Sequence, residues 1–222
     1  MPAVAFRGWP AAAVEFFAGL EVDNSKAYWT EHRATYEDDV KAPFLALSEE
    51  VEDEFGPLRL FRPYRDVRFA KDKRPYKTEA GALTEGEGGT FFYVALRASG
   101  LYVGAGYYRL ESDQLDRYRR AVGEEATGGA LVDAMAAVAS AGLTIETFDQ
   151  LKRAPRGWPA DHPRIDLLRR KGLHAGRAFA PARWLSSAGA LDRIVGTWRA
   201  AAPVCEWLDA HVGPSELAPA ED

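Results

Sequence analysis

The stretch TFFYVALRASGLYVGAGYYRL, residues 90–110, decides the fold class. Two runs rich in Phe, Tyr, Val and Leu, residues 90–98 and 101–110, flank Ser99-Gly100. Aromatic and β-branched side chains suit a pleated surface, and Ser-Gly is short-turn chemistry, so the pattern predicts an antiparallel β-hairpin. Gly104 and Gly106 fall inside the second run. Glycine weakens a strand, which implies a close approach to the backbone there, by a ligand or by an aromatic ring laid over the sheet. Phe91, Phe92 and Tyr93 read as core.

Working outward, three helices precede the hairpin. Residues 10–21 place Val14, Phe17 and Leu20 at helical spacing behind Pro10. Residues 25–40, capped by Asn24 or Ser25, carry an aromatic face of Tyr28, Trp29, His32 and Tyr36. Residues 42–55 end at the stop Gly56-Pro57. Residues 58–69 then read as a strand, with Arg62, Tyr64, Asp66 and Arg68 on one face and Arg65, Val67 and Phe69 on the other. A Gly-rich connection, residues 81–89, leads into the hairpin.

After the hairpin come a helix over residues 112–123 capped by Ser112 or Asp113, and a nearly uncharged, buried helix over 129–141. A strand over 143–148, a helix over 163–171 ended by Gly172, a strand over 174–179 and a helix over 190–212 complete the pattern. Helices before and after an antiparallel hairpin, without βαβ alternation, give an α+β class: an antiparallel sheet with a central hairpin packed by N-terminal and C-terminal helices. No internal repeat or linker divides the chain, so residues 1–212 read as one domain and 213–222 as a disordered acidic tail.

Charge is segregated. The chain carries a formal net charge of −5, yet residues 59–77 hold eight Lys or Arg against two Asp, and residues 152–177 repeat that ratio. Such segregation creates local positive potential that overall charge hides, and it points to an anionic ligand or partner. In the first segment Arg62, Arg65, Arg68, Lys71, Lys73 and Lys77 are the candidate ligand-binding residues. Pro75 biases Arg74 toward extended geometry, and Asp66 is placed to orient Arg62 or Arg68. In the second, Lys152 and Arg156 lie on a loop stiffened by Pro155, Gly157 and Pro159. Arg169, Arg170 and Lys171 have a plainer explanation at a helix C-terminus. Asp66, Tyr76 and His162 are the candidate proton carriers: histidine titrates near neutrality, and cations beside a tyrosine would lower its pKa.

Other chemistries are poorly supported. Cys205 is the single cysteine, so neither an intramolecular disulfide nor a cysteine-rich zinc site is open, and its apolar surroundings mark it as a packed thiol. The four histidines show no HExxH spacing, and no metal site is expected. No GxxxxGK[ST] or GxSxG motif is present, and the sequence names no cofactor. There is no run of 18 apolar residues and no charged leader followed by an apolar stretch, so a soluble, cytoplasmic protein without membrane attachment is expected. Basic residues interleaved with Tyr64, Tyr76 and Trp158 suit stacked bases, but a sequence pI near 5.5 disfavours an extended nucleic acid.

The run FRPYRDVRFAKDKRPYKT, residues 61–78, resembles the hallmark of the family known as domain of unknown function 2461. DNSKAYW (residues 23–29), the hairpin end GAGYY (104–108) and LKRAPRG (151–157) are similar to further family segments, so the likeness spans about residues 6–212. Where the family reads two asparagines and Trp-Phe, this chain has Asp23-Asn24 and Tyr28-Trp29. The resemblance implies a shared fold and one recurrent design for both basic segments, here read as meeting in one pocket; it assigns no reaction. Three readings follow: a site for a small phosphate- or carboxylate-bearing ligand, with or without catalysis; a surface docking an acidic protein or nucleic acid; or an ionic network without a ligand.

Overall fold

The computed structural model describes residues 5–68, 71–85 and 89–217. A six-stranded antiparallel open sheet runs in the order β1-β2-β3-β4-β6-β5: β1 Arg59–Leu60, β2 Glu79–Glu85, β3 Phe91–Arg97, β4 Gly100–Tyr107, β5 Thr144–Glu146 and β6 Leu173–Phe179. Together with the helices below, this is the α+β architecture expected from the hairpin. Most of β2 had been read as the Gly-rich connection. Its Ala80, Gly81 and Ala82 lack the β-branched signal because Ala80 and Ala82 fill tight buried positions and Gly81 lies beneath a tyrosine ring.

Contacts divide the chain into two compact units. The first comprises residues 1–84, 93–103 and 178–196. It contains α1 (Ala11–Val22), α2 (Lys26–Glu31), a short α3 (Arg33–Thr35), a π-helical turn (Tyr36–Lys41) and α4 (Ala42–Phe55). Ser25 caps α2, its Oγ accepting the Tyr28 N–H at 3.1 Å. The helices expected over 25–40 and 42–55 are joined through the π-turn. Its cause is Pro43, which has no N–H for the preceding turn and whose ring needs room there. Trp9, Phe16, Phe17, Leu20, Phe44, Leu47 and Val51 are buried and build this unit's core.

The second unit comprises residues 85–92, 104–177 and 197–222. It holds α5 (Ser112–Gly123), α6 (Glu125–Ser140), a one-turn α7 (Ile165–Leu168) and most of α8 (Gly189–His211). The α5 cap is Glu111, not Ser112 or Asp113: Glu111 and Gln114 form a reciprocal capping box. Tyr118, Val122, Leu131, Val138, Leu168 and Leu208 are its buried core, and Cys205 is buried with them, its thiol pushed up to about 12 by burial and by Asp209. Gly106 meets the close approach expected of it: a Cβ there would lie 2.6 Å from the Leu173 carbonyl oxygen of β6. Residues 213–217, the start of the expected disordered tail, are bonded to α5. Asp113 accepts from Ser215 Oγ and the Glu216 N–H, both at 2.8 Å, and Gln114 Nε2 donates to the Gly213 carbonyl at 2.9 Å. Residues 218–222 lie outside the described residues.

Candidate functional site

The basic segment 59–77 is not one strand. Arg59 and Leu60 pair with Leu83 and Ala82, and the Phe61 N–H donates to the Gly81 carbonyl at 2.9 Å. A second antiparallel bridge, Tyr64 with Tyr76, is closed by Arg65 N–H to Pro75 O and Lys77 N–H to Pro63 O, each 2.8 Å. Between these levels Arg62 and Pro63 on one side face Lys77 to Ala80 on the other, so the ladder is bulged. Beyond Tyr64, two Asp-x-Arg turns replace ladder pairing. Asp66 accepts the Arg68 N–H at 3.1 Å together with its guanidinium, and Asp72 does the same for Arg74. Aspartates that satisfy nearby backbone in this way compete with strand pairing, which is why the expected strand over 58–69 stops early. Exposure alternates along this segment: Arg62, Tyr64, Asp66 and Arg68 are exposed while Arg65 and Val67 are half-buried. Phe69 lies outside the described residues.

The arm is anchored by the segment around DNSKAYW. Asn24 Oδ1 accepts the Tyr76 N–H at 2.9 Å, and Asn24 Nδ2 donates to the carbonyls of Tyr76 and Leu20, each at 3.2 Å. The buried Tyr76 ring stacks on buried Trp29, which also packs against Phe16, Tyr36 and Tyr64. This setting does not give the lowering by cations expected of the Tyr76 hydroxyl. Burial, aided by Tyr64, raises its pKa, and its ring is part of a packed aromatic cluster. Asp66 is likewise committed: the Arg68 side chain and backbone hold its carboxyl below the usual range, with a smaller contribution from Arg62.

The cations divide into two groups. Arg65 and Arg74 both pair with Asp72, at 2.5 and 2.7 Å, and Arg68 pairs with Asp66 at 2.6 Å. Lys73 Nζ donates to the Val67 carbonyl at 2.9 Å. Arg62, Lys71 and Lys77 form no ion pair with a carboxylate among the described residues. Arg62 and Lys71 are exposed; Lys77 is half-buried, with Nζ 5.2 Å from the Phe61 ring centroid. Burial lowers the Lys77 pKa. Glu79 opposes that shift, while Arg62 and Arg65 add to it to a smaller extent.

Around Phe61 lies a polar face that sequence reasoning missed. Glu79 Oε2 is 2.5 Å from Arg97 Nε, Tyr93 OH donates to Glu79 Oε1 at 3.4 Å, and the Arg97 guanidinium sits 5.7 Å from the Tyr102 centroid. Tyr93 rests over Gly81, where a Cβ would meet its hydroxyl at 2.5 Å. The aromatic ring laid over the sheet is therefore at Gly81. Phe91, Phe92 and Tyr93, expected as core, are all half-buried, and burial followed by Glu79 pushes the Tyr93 hydroxyl up to about 12. The available signal was the two-residue period: Tyr93 and Arg97 share one face of β3, as do Glu79 and Gly81 of β2.

The second basic segment belongs to the second unit, whereas the first belongs to the other. Lys152 and Arg156 are exposed. His162 is engaged structurally: Nδ1 accepts the Arg164 N–H at 3.0 Å, and the ring stands edge-on to Trp158, which packs on Gly123. Arg164, singled out by nothing in the sequence, closes the C-terminus of α5. Its Nε donates to the Val122 carbonyl at 2.7 Å and its Nη2 to the Gly123 and Glu124 carbonyls at 3.2 Å. The helix expected over 163–171 is the single turn of α7. Lys171 pairs with Asp149 at 2.6 Å and Arg169 with Asp166 at 3.5 Å, so side-chain pairing takes the place of the expected helix-end role.

Among the described residues no three His, Cys, Asp or Glu are grouped to hold a metal ion, and no helix is long and apolar enough to cross a membrane. Compared with known families, residues 12–207 match the one described as "Conserved hypothetical protein (DUF2461)". No curated protein and no solved structure matches the chain.

Proposed function

Because the chain belongs to this family of conserved hypothetical proteins, whose description carries no reaction, we propose a function from the geometry: the arm over residues 59–77 binds a small phosphate- or carboxylate-bearing ligand. The observation that carries this reading is that Lys77, half-buried on the Phe61 ring, has no ion pair with a described carboxylate in a segment that holds eight Lys or Arg against two Asp. Their neighbouring carboxylates are already shared, Glu79 with Arg97 and Asp72 with both Arg65 and Arg74. Like charges in a partly desolvated place repel, and an anion set among them relieves that repulsion. Arg62, Arg65 and Lys71, the last exposed on the adjoining loop, are the other members of the site. Arg68, held by Asp66, and Lys73, held by the Val67 carbonyl, are left out of the proposed site.

Preorganisation supports the same reading. The Asn24 clamp, the Trp29–Tyr76 stack and the Arg65–Asp72 pair fix the arm before any ligand arrives, so less ordering is left to the binding step. The ionic-network alternative accounts for Arg68 and Arg74 but not for Arg62 and Lys77.

The test is a thermal-shift and calorimetric titration at low ionic strength with inorganic phosphate, citrate and simple phosphomonoesters. A ligand at a hundred times its dissociation constant adds about 2.7 kcal/mol to the folded state. The double variant R62A/K77Q should lose that stabilisation while keeping its circular dichroism. Stabilisation that survives the double variant, or that follows ionic strength regardless of the anion, places the binding elsewhere and sinks the proposal.

A further inference from the structure

Three half-buried rings, Phe61 of the arm, Tyr93 of β3 and Tyr102 of β4, form a continuous row in the first unit. Phe61 and Tyr93 have centroids 6.5 Å apart with planes inclined by 40°, and Tyr93 and Tyr102 have centroids 6.2 Å apart with planes inclined by 53°. They adjoin without stacking on one another, unlike Trp29 and Tyr76 in the buried cluster. Cations edge the row at both ends. Lys77 Nζ lies 5.2 Å and the Arg59 guanidinium 5.9 Å from the Phe61 centroid, and the Arg97 guanidinium lies 5.7 Å from that of Tyr102. Glu79 is the carboxylate in contact with the row, bound to Arg97 and accepting from Tyr93, while Arg59 and Lys77 form no ion pair with a described carboxylate. The Arg97 and Glu79 side chains are 41% and 35% exposed, so the row is reachable from solvent.

Resting on the reading of the arm as an anion site, we infer that the ligand is a nucleoside phosphate whose base lies against Phe61 and Tyr93, with an N–H directed to Glu79, and whose phosphate meets Lys77 and Arg59. Each part of the arrangement has its counterpart in such a molecule. Aromatic side chains beside cations are the elements that hold a base by its flat face and its phosphate by charge. A carboxylate offers about four acceptor positions, which Arg97 and Tyr93 do not exhaust, so Glu79 can still take an N–H from the edge of a heterocycle. The charge excess lies at the Phe61 end, where two cations share one ring, and it suits a single phosphate group. A long strand is disfavoured by the chain's net charge of −5, which repels a polyanion beyond the reach of these side chains.

The experiment titrates the full chain calorimetrically at low ionic strength with AMP, ribose 5-phosphate, phenyl phosphate and inorganic phosphate. AMP should bind roughly tenfold more tightly than ribose 5-phosphate, the gain that base stacking brings, and more tightly than phenyl phosphate, which is flat but carries no N–H. In F61L, which keeps an apolar side chain and loses the ring, the ratio of AMP to ribose 5-phosphate affinity should fall toward one, with circular dichroism reporting whether the variant folds. Saturation-transfer NMR on the unaltered chain gives a second readout: on irradiation of the protein's aromatic protons, the base protons of AMP should receive more saturation than its ribose protons. AMP no tighter than ribose 5-phosphate or phenyl phosphate, a ratio unchanged in F61L, or stronger transfer to ribose than to base overturns the inference. A single-stranded oligonucleotide that outcompetes AMP at equal nucleotide concentration overturns it too, by making the row a track for a polymer. Stabilisation by inorganic phosphate without preference for AMP leaves the anion site standing and removes the nucleotide; no stabilisation by any of the four removes both.

Discussion

The ring of Tyr76 lies flat on that of Trp29, with centroids 4.5 Å apart and planes 5° from parallel. The backbone of Tyr76 is held at the same time by both ends of the Asn24 amide. One short N-terminal segment thus fixes the conformation of a charged arm some fifty residues later in the chain. Truncating Trp29 to Ala should cost about 3–5 kcal/mol, the usual range for a buried aromatic. Asn24→Ala should cost about 1–3 kcal/mol, because it strands a buried backbone pair without partners. Urea unfolding gives both values, and hydrogen exchange of the Tyr76 and Lys77 amides should accelerate in the Asn24 variant beyond its global loss of stability.

Acid should release residues 213–217 before it unfolds the rest. Hydrogen bonds from the Glu216 N–H, Ser215, Gln114 and Arg117 hold the Asp113 carboxyl at about 2, against an ordinary 3.8. A depressed folded-state value means that the stabilisation is complete above 3.8 and is lost as pH falls through 3.8 toward 2. Amide exchange at Glu216, followed from neutral pH to pH 2, should show this loss, and Asp113→Asn should remove most of the pH dependence.

Two glycines should answer differently to a methyl group. At Gly81 the obstacle is the far end of the Tyr93 side chain, so Gly81→Ala should cost about 1–3 kcal/mol and be partly rescued by Tyr93→Phe. At Gly106 the obstacle is the backbone of Leu173 and His174, and φ is +133°, so no side-chain change should rescue Gly106→Ala. Thermal denaturation of the single and double variants distinguishes the two cases.

Arg164→Ala should destabilise the second unit by about 2–3 kcal/mol, since it uncovers carbonyls at the end of α5 that a charged donor now satisfies. Lysine should rescue little, because it lacks the planar fork that reaches several oxygens at once. The loss should register in chemical denaturation, with fluorescence of Trp158, which packs on Gly123, as a local probe.

The features legible from sequence were those written in neighbouring residues. The hairpin about Ser99-Gly100 announced itself through composition, and the pairing of Asp66 with Arg68 through their closeness in sequence, whereas the turns at Asp66 and Asp72 did not. The charge excess of the arm was equally plain, but the division of its cations was not: Arg65, Arg68 and Arg74 find aspartates, while Lys77 lies half-buried on the Phe61 ring. The setting of Tyr76 was hidden for a related reason, since it is made by Asn24, between α1 and α2, and by Trp29 of α2. β2 escaped notice because its first half carries the small Ala80, Gly81 and Ala82, of which the alanines are buried and Gly81 leaves room for the Tyr93 ring.

The π-turn at Tyr36–Lys41 has a counting consequence. Tyr36, Val40, Phe44, Leu47, Val51 and Phe55 are all buried, and the first and last stand 19 positions apart. Five turns of regular α-helix use about 18, so an unbroken helix would carry Phe55 roughly 100° round from Tyr36. The wide turn absorbs the surplus position and returns the two ends to phase. Shortening residues 36–41 by one should therefore yield an ordinary helix with both halves still facing inward, whereas the same deletion further along α4 would turn Phe55 toward water.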